Sequence, residues 1–534
     1  MNRRAFLRAG ATTGAGALAL GPAFLERAFG AGPVTVGPGP YGPLQPFNAD
    51  GIALPAGFTS REIARGGSVV SAGGAPYIWH VATDGQATFR TLSGGGAPDG
   101  GWILVANSEV PGAGGVSGVE FAPDGTAERA YRVLAGTSLN CAGGPAPWGK
   151  WLSCEENDAG LVHECDPTTL NAGVARPALG TFAHEAVCVD PVNERLYLTE
   201  DEPDGCLYRF TPTAYPSLAA GLLEVAVGTA PGTVSWTAVP NPNGGPADPT
   251  RRQVPGAAIF KGGEGTWFDE GTVYFTTKGD NRVWTLNVAT NVVEVLYDPT
   301  VVGPDAPLSG VDNITVSPSG DVYVCEDGRD HDICLITPSF EITRFLKLDP
   351  ITHAGPPVAK NECVGVVFSP DGTRMYFGAQ RSFGVGGIPL APAGVVYEVR
   401  GPFRQTAGGT GSQALKAPAR ISLRARKRRA IPKLVRNGFK IRLDIDEPVG
   451  IDATLRISVP GDNGRKVSRL LARAKPSVAV SDLVSLQLEP RKQTAKLLAG
   501  RDEVIAKLKV VATDAAGNRT VFRRRVRLFG GGKG

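Results

Sequence analysis

Between about residue 51 and residue 400 one unit recurs: an apolar run, a Pro/Gly/Asp turn, a second run rich in aromatic and β-branched residues, and a polar or acidic ending. It is clearest in VDPVNERLYLTED (189–201), WFDEGTVYFTTKGD (267–280), VSPSGDVYVCED (316–327) and FSPDGTRMYFGAQ (368–380). Less regular copies end at Glu109, in WILVANSE, and at Glu155, in WGKWLSCEE. The six copies recur about every 45 to 50 residues except across an insertion near 212–255, and a unit of that size buries its apolar face only by stacking on its neighbours. The expectation is an all-β chain whose main body is a six-bladed β-propeller with one four-stranded sheet per unit. The 71 Gly and 43 Pro, against 7% aromatics, fit short strands and tight turns.

A radial repeat also sorts polar residues, because equivalent positions lie at equivalent radii. The units end at Glu109, Glu155/Glu156, Glu200/Asp201, Thr277/Lys278, Glu326/Asp327 and Gln380/Arg381. Upstream of five of them, by roughly 15 residues, stands a second polar position: Cys141, Glu185, Glu264, Asp312 and Glu362. Two rings of mostly carboxylates facing one channel mouth call for cations, since like charges ~4–6 Å apart repel and raise one another's pKa. Carboxylate oxygen is a hard ligand suited to calcium, whereas a thiolate suits iron, zinc or copper. With five histidines, no HExxH and no cysteine-rich zinc spacing, an ordinary zinc hydrolase is disfavoured, and a mixed site fits better: one thiolate on a transition metal, with carboxylates bridging to calcium. Asn107, Lys278 and Arg381, all at blade ends, are candidate donors to a bound anion. Two look-alikes are rejected. Gly144–Trp151 (GPAPWGKW) has Trp where a phosphate loop needs Ser or Thr, and its prolines lack amide donors, so it reads as a β-turn. His184-Glu185 lacks the second histidine of a zinc-protease motif.

The ends of the chain differ from its middle. Asn2-Arg3-Arg4-Ala5-Phe6-Leu7, followed by a weakly apolar run to Leu25, reads as a twin-arginine export signal over 1–31, recognised by the twin-arginine export machinery. An extracytoplasmic location (periplasmic, cell-surface or secreted) without a membrane span follows as the expectation. A Pro/Gly-rich arm (32–50) precedes the propeller (51–401), and 402–417 reads as a flexible linker. Alternating runs such as KIRLDIDEP, TLRISVP and VFRRRVRLF predict a β-sandwich over 418–530, and VVATDAAGNR resembles the closing hairpin of bacterial immunoglobulin-like domains. The net charge of +4 conceals an asymmetry: residues 411–534 carry 29 Lys+Arg against 10 Asp+Glu, and the preceding 410 carry 26 against 41. An acidic first body suits cation binding and a basic second one suits an anionic cell-surface polymer. No stacking aromatics accompany Arg424–Arg429 (RARKRR), which argues against specific nucleic-acid binding. Of the eight cysteines, Cys154, Cys188 and Cys325 sit in apolar runs as small hydrophobes, and Cys141 alone stands in a Gly-rich segment beside acids.

The segment NCAGGPAPWGKWLSCEE (140–156) resembles the PhoX-type alkaline phosphatases, and the resemblance continues through TFAHEAVCVD at 181, LYLTEDEPDGCLYRF at 196, GVDNITVSPSGDVYVCEDG at 310 and FSPDGTRMYF at 368. It covers roughly residues 40 to 402. The resemblance implies a phosphatase using iron and calcium (Fe3+, Ca2+) together in a propeller channel to hydrolyse small phosphate monoesters. By motif it makes Cys141 the iron thiolate ligand, Glu156, Glu185 and Glu264 further ligands, and Glu200, Asp201, Asp312, Glu326 and Glu362 calcium ligands or their neighbours. The chain departs from the family pattern where Gly262-Gly263-Glu264 replaces an Arg-x-Glu and Asn107-Ser108-Glu109 replaces an Asn-His-Glu. Two other functions fit the same features: a calcium-dependent propeller lactonase or esterase, and a non-catalytic, metal-stiffened propeller that binds an extracellular polymer.

Overall fold

The computed structural model describes residues 34–92, 98–328, 331–354, 361–384 and 394–405, and then 421–425, 428–445, 449–460, 466–474, 477–478, 482–514 and 519–530. The export signal predicted over 1–31 and residues 406–417 of the linker lie outside the described residues.

Six sheets form the predicted six blades. Blade one comprises Thr83–Leu92, Pro98–Ser108, Gly114–Phe121 and Ala127–Thr137, hydrogen-bonded in chain order. Blade two follows with Asn140–Ala146, Lys150–Glu155, Val162–Cys165 and Gly173–Ala175. In blade three, His184–Asp190, Arg195–Glu200, Leu207–Ala214 and Ser217–Val227 are extended by Ser235–Ala238; in blade four, Gly263–Asp269, Thr272–Thr277, Arg282–Asn287 and Val292–Tyr297 are extended by Gly232–Thr233. The 212–255 insertion thus supplies outer strands to two adjacent blades. Blade five consists of Val311–Val316, Val322–Glu326, Asp332–Ile336 and Glu341–Leu348. The Pro/Gly-rich arm lies along its edge: Thr35–Val36 pairs with Glu341–Ile342 in parallel, and Ile52–Ala53 pairs antiparallel with Lys347–Leu348.

Blade six joins the two ends of the propeller. Cys363–Phe368, Arg374–Ala379 and Val395–Arg400 come from its C-terminal end, and Thr59–Arg65, from its N-terminal end, supplies the outer strand. A buried carboxylate clamps this closure. Glu398 Oε1 accepts from Arg61 Nε (2.9 Å) and Arg374 Nη1 (3.2 Å), and Oε2 accepts from Arg61 Nη2 (3.0 Å) and Tyr376 Oη (2.8 Å).

The apolar interior is divided among the blade interfaces. Leu152 and Val187 belong to one cluster between blades two and three, Tyr197 and Phe275 to the next, then Tyr274 with Val324, Tyr323 with Phe377, and Trp102 with Tyr376 across the closing blade. Each such large side chain contributes roughly 1.5–3 kcal/mol on burial. Stacking of successive sheets therefore supplies most of the driving force, as expected of a unit that cannot bury its face alone.

The second compact unit is also all-β. Its strands form one hydrogen-bonded path in which a two-residue pairing, Ala472 to Pro490 and Arg473 to Glu489, joins a three-stranded part to a six-stranded part. Phe439 and Ile441 of the first part and Leu455, Leu508 and Val526 of the second share one core. This single path carries the predicted β content; an immunoglobulin topology does not follow from it. On the six-stranded part, Lys507 stands directly opposite both Arg456 and Arg525, and Lys509 opposite Arg523. Like charges so placed are destabilising.

Glu398→Ala removes the clamp and leaves the guanidinium of Arg374, whose side chain is 11% exposed, without its carboxylate. Unfolding of the propeller should become easier by about 3 kcal/mol, read by thermal or urea denaturation; a loss below about 1 kcal/mol would show that strand pairing alone closes the ring.

Candidate metal centre

The innermost strand of five blades carries the same irregularity. In each, two residues oppose one on the neighbouring strand: Cys141-Ala142, Glu185-Ala186, Glu264-Gly265, Asp312-Asn313 and Gly365-Val366. Such a bulge bends the strand and re-aims a side chain. In four of the five the first bulged residue is a carboxylate or a thiol. Gly265 permits the close approach of blade five, since a Cβ there would lie 2.6 Å from Asn313 Cα.

A second repeat fixes the outer ring. The backbone N–H of Glu109, Glu156, Asp201, Lys278, Asp327 and Gln380 donates to the carbonyl of Ala82, Leu139, Ala183, Gly262, Gly310 and Glu362 respectively, at 2.7–3.2 Å. These six residues are therefore equivalent, which resolves each adjacent pair left open by the sequence. Glu156 and Asp201 stand on the ring. Glu200 and Glu326, predicted as calcium ligands or neighbours, do not. Glu200 accepts from Tyr208 Oη (2.7 Å), the Cys206 amide (3.1 Å) and Arg251 Nη1 (3.0 Å). Glu326 accepts from the amide (2.5 Å) and hydroxyl (2.7 Å) of Ser309. Glu155 likewise accepts from the amides of Ser138 (2.9 Å) and Leu161 (3.1 Å). This register braces the blade-end loops.

Asn107 also requires correction. It is buried and fully used: Nδ2 donates to the carbonyls of Cys141 (3.0 Å) and Ala142 (2.7 Å), and Oδ1 accepts from Trp151 Nε1 (2.8 Å) and Ser153 Oγ (2.9 Å). No donor remains for an anion. Its counterparts do the same work, as Thr199 Oγ1 donates to the Glu264 carbonyl and Thr276 Oγ1 to the Asp312 carbonyl, each at 2.5 Å. Blades one, three and four thus each hold the backbone of the next blade's inward-facing residue.

Among the described residues, two groups of side chains converge. Ligand atoms of Cys141, Glu156 and Glu185 lie within 4.8 Å of one another, and so do those of Glu185, Glu264 and Asp312. Glu185 belongs to both. It is buried, and neither of its oxygens has a hydrogen-bond partner. Asp84, the blade-one counterpart, was not anticipated; it too is buried, with Gln380 Nε2 on Oδ2 and no partner on Oδ1. Its signal is an acid followed by a small residue, Asp84-Gly85, as in Glu185-Ala186 and Glu264-Gly265. At the rim, Arg381 pairs with Glu109 and Glu362, each at 2.6 Å, and Lys278 Nζ lies 2.7 Å from Glu264. Glu362 is therefore a rim group; the bulge of blade six falls instead at Gly365. His184 turns away, with Nε2 3.1 Å from the Gly180 carbonyl and its ring against Phe182, so His184-Glu185 is no zinc motif. All eight cysteines are buried, and none of them is in a disulfide.

Burial and mutual repulsion push these acids towards the neutral form. Burial is the larger cause for Glu185, followed by Glu264 and Glu156, and its carboxyl stands well above the usual range. Burial, then Asp201, raises Glu156 to about 8; burial, then Asp327, raises Glu362 to about 8. The Cys141 thiol is raised by burial and then by Asp84 and Glu185. Burial alone would lower Lys278, but Glu264 and Asp201 outweigh it and hold the ammonium above its ordinary value. Hard oxygen donors with unpartnered lone pairs, one buried thiol and few compensating cations fit divalent or trivalent metal ions.

Because these folded-state pKa values are raised, the groups contribute stability that is complete below the unfolded carboxylate range, ~4.3, and lost as pH rises through about 8. The metal-free protein should therefore melt at a lower temperature at pH 8.5 than at pH 5.5, and metal should remove most of that difference; a melting temperature that rises with pH in chelator would contradict this. Asn107→Ala strips partners from four buried groups and should cost at least about 3 kcal/mol, with reduced metal content measured on the folded fraction; an unchanged denaturation midpoint would contradict the stitching role.

Compared with known proteins, the sequence matches the family described as alkaline phosphatase PhoX over residues 109–163 and 157–382. No curated protein matches it. Among solved structures, a gluconolactonase from Xanthomonas campestris is 12% identical with a TM-score of 0.39, covering 68% of this chain and 99% of its own. A putative 6-phosphogluconolactonase from Bacteroides uniformis is 13% identical with a TM-score of 0.33, covering 61% and 90%. Likeness at this level carries no functional argument. The family match spans two strands of the first blade, the second to fifth blades, two strands of the sixth and both groups of converging ligands, and the chain belongs to the PhoX alkaline phosphatase family.

Proposed function

We propose that this protein is an exported metal-dependent phosphatase that hydrolyses small phosphate monoesters at the axial end of its propeller. The observation that carries the reading is Glu185, a fully buried carboxylate shared by a thiol-containing group and an all-carboxylate group, with neither oxygen hydrogen-bonded. A metal-dependent family and a typically exported one support it. Cys141, Glu156 and Glu185 would hold the softer ion, which we assign as iron, and Glu185, Glu264 and Asp312 would hold calcium. When bound, the cations withdraw charge from phosphoryl oxygens and make water a better nucleophile at neutral pH.

The chain's own residues supply position and charge. Arg381 presents a planar guanidinium at the rim, with its two terminal nitrogens on Glu109 and Glu362, and this geometry suits two oxygens of one phosphate. Lys278 places a second positive charge above Glu264. The buried strands behind the ring hold the ligands through backbone contacts, so little reorganisation is needed when an anion arrives. Among the described residues no helix is long and apolar enough to cross a membrane.

Purified protein loaded with calcium and iron should hydrolyse a chromogenic phosphate monoester. Cys141→Ser should lose iron, and Glu185→Gln should lower kcat/KM by about 100-fold or more. Metal-replete protein inert towards phosphate mono- and diesters but active on lactones would overturn the assignment in favour of a lactonase.

A further inference from the structure

We propose that Lys278 is a tethered cation, its ammonium standing where a divalent ion would otherwise complete the acidic ring; this rests on the metal-centre reading above. The outer-ring position is a carboxylate in four blades, namely Glu109, Glu156, Asp201 and Asp327, and a lysine in blade four. That lysine stands between two of these carboxylates and over an inner one. Its Nζ is 2.7 Å from Glu264 Oε1, 3.2 Å from Asp201 Oδ2 and 3.8 Å from Asp327 Oδ2, so one ammonium bridges acids from three successive blades.

The lysine's backbone is fixed for this task. Its own N–H donates to the Gly262 carbonyl (2.8 Å) and the N–H of Gly279 donates to the Lys261 carbonyl (3.0 Å). Gly262 has φ of 61°, and a Cβ there would lie 3.2 Å from Asp201 Oδ1, so a glycine leaves the space beside Asp201 to the ammonium. Glu185, by contrast, has both buried oxygens unpartnered and points to where exogenous cations are still required. Arg381 does not duplicate the role, since it pairs with Glu109 and Glu362.

An ammonium at 2.7–3.2 Å from two carboxylate oxygens occupies nearly the position of a calcium ion, which bonds oxygen at about 2.3–2.6 Å. It brings one charge that no chelator removes. The lysine side chain is 42% exposed, so solvent and ions reach this corner once the ammonium is gone. Lys278→Gln should therefore open one further divalent-cation site made by Asp201, Glu264 and Asp327.

The test is elemental analysis of the full-length parent, Lys278→Gln and Lys278→Arg after equilibration with excess calcium, together with melting temperatures at increasing calcium. Lys278→Gln should hold one more calcium per chain than the parent, Lys278→Arg the parent's number, and calcium should raise the melting temperature of Lys278→Gln more than that of the parent. If Lys278→Gln folds only when calcium is supplied, the tethered-cation role is supported. An unchanged or lower calcium content, or a destabilised Lys278→Gln that calcium does not restore, overturns it; unchanged metal with a raised KM would make Lys278 a phosphate-binding residue instead. A parent without any bound metal would remove the metal-centre reading itself, which separates the two failures.

Discussion

Negative charge confined at the propeller axis is the constraint on which the rest of the site depends. Asp84, Glu185, Glu264 and Asp312 are buried on an inner ring with the Cys141 thiol, and Glu109, Glu156, Asp201 and Asp327 stand on an outer one. Two side-chain cations, Lys278 and Arg381, reach them at the rim. In a low-dielectric interior such a group of acids either takes up protons or binds cations. The raised pKa values of Glu156 and Glu362 and the unpartnered oxygens of Glu185 are two expressions of that choice.

The backbone brings these charges together at a cost met by the blade interfaces. Bulges on four inner strands turn a carboxylate or thiol toward the axis, and hydrogen bonds from Asn107, Thr199 and Thr276 hold the carbonyls of Cys141, Glu264 and Asp312 in the following blade. Apolar clusters between blades and the Glu398 clamp of blade six keep the ring closed against the repulsion. Ligand position is thus a property of the rigid inner strands, as precise metal binding requires.

Much of this was legible in the sequence because a radial repeat converts spacing along the chain into radius. The six strand–turn–strand units gave the blades, and the register picked out Cys141, Glu185, Glu264 and Asp312. What failed to show was the one-residue difference that decides which side of a strand end a residue faces. Glu200 and Glu326 look as acidic as Asp201 and Asp327, but the former brace loops through backbone amides. Asn107 looks like an exposed blade-end donor because period counting does not reveal that its side chain meets the bulged Cys141-Ala142 backbone of the next blade. Asp84 escapes notice because it lies 25 residues before Glu109, well outside the spacing of roughly 15 residues that marks the other copies, although its acid-then-small pattern is shared.

The central claim is that Glu185 lies between two metal positions, one beside a thiolate and one among carboxylates. Anomalous diffraction from crystals of the metal-loaded protein, collected at the iron edge and at a wavelength sensitive to calcium, tests it most directly. Iron bonded to Cys141 Sγ and calcium on the opposite side of Glu185 is the expected result. Metal bound away from Glu185, or a single ion with no contact to Cys141, would contradict it.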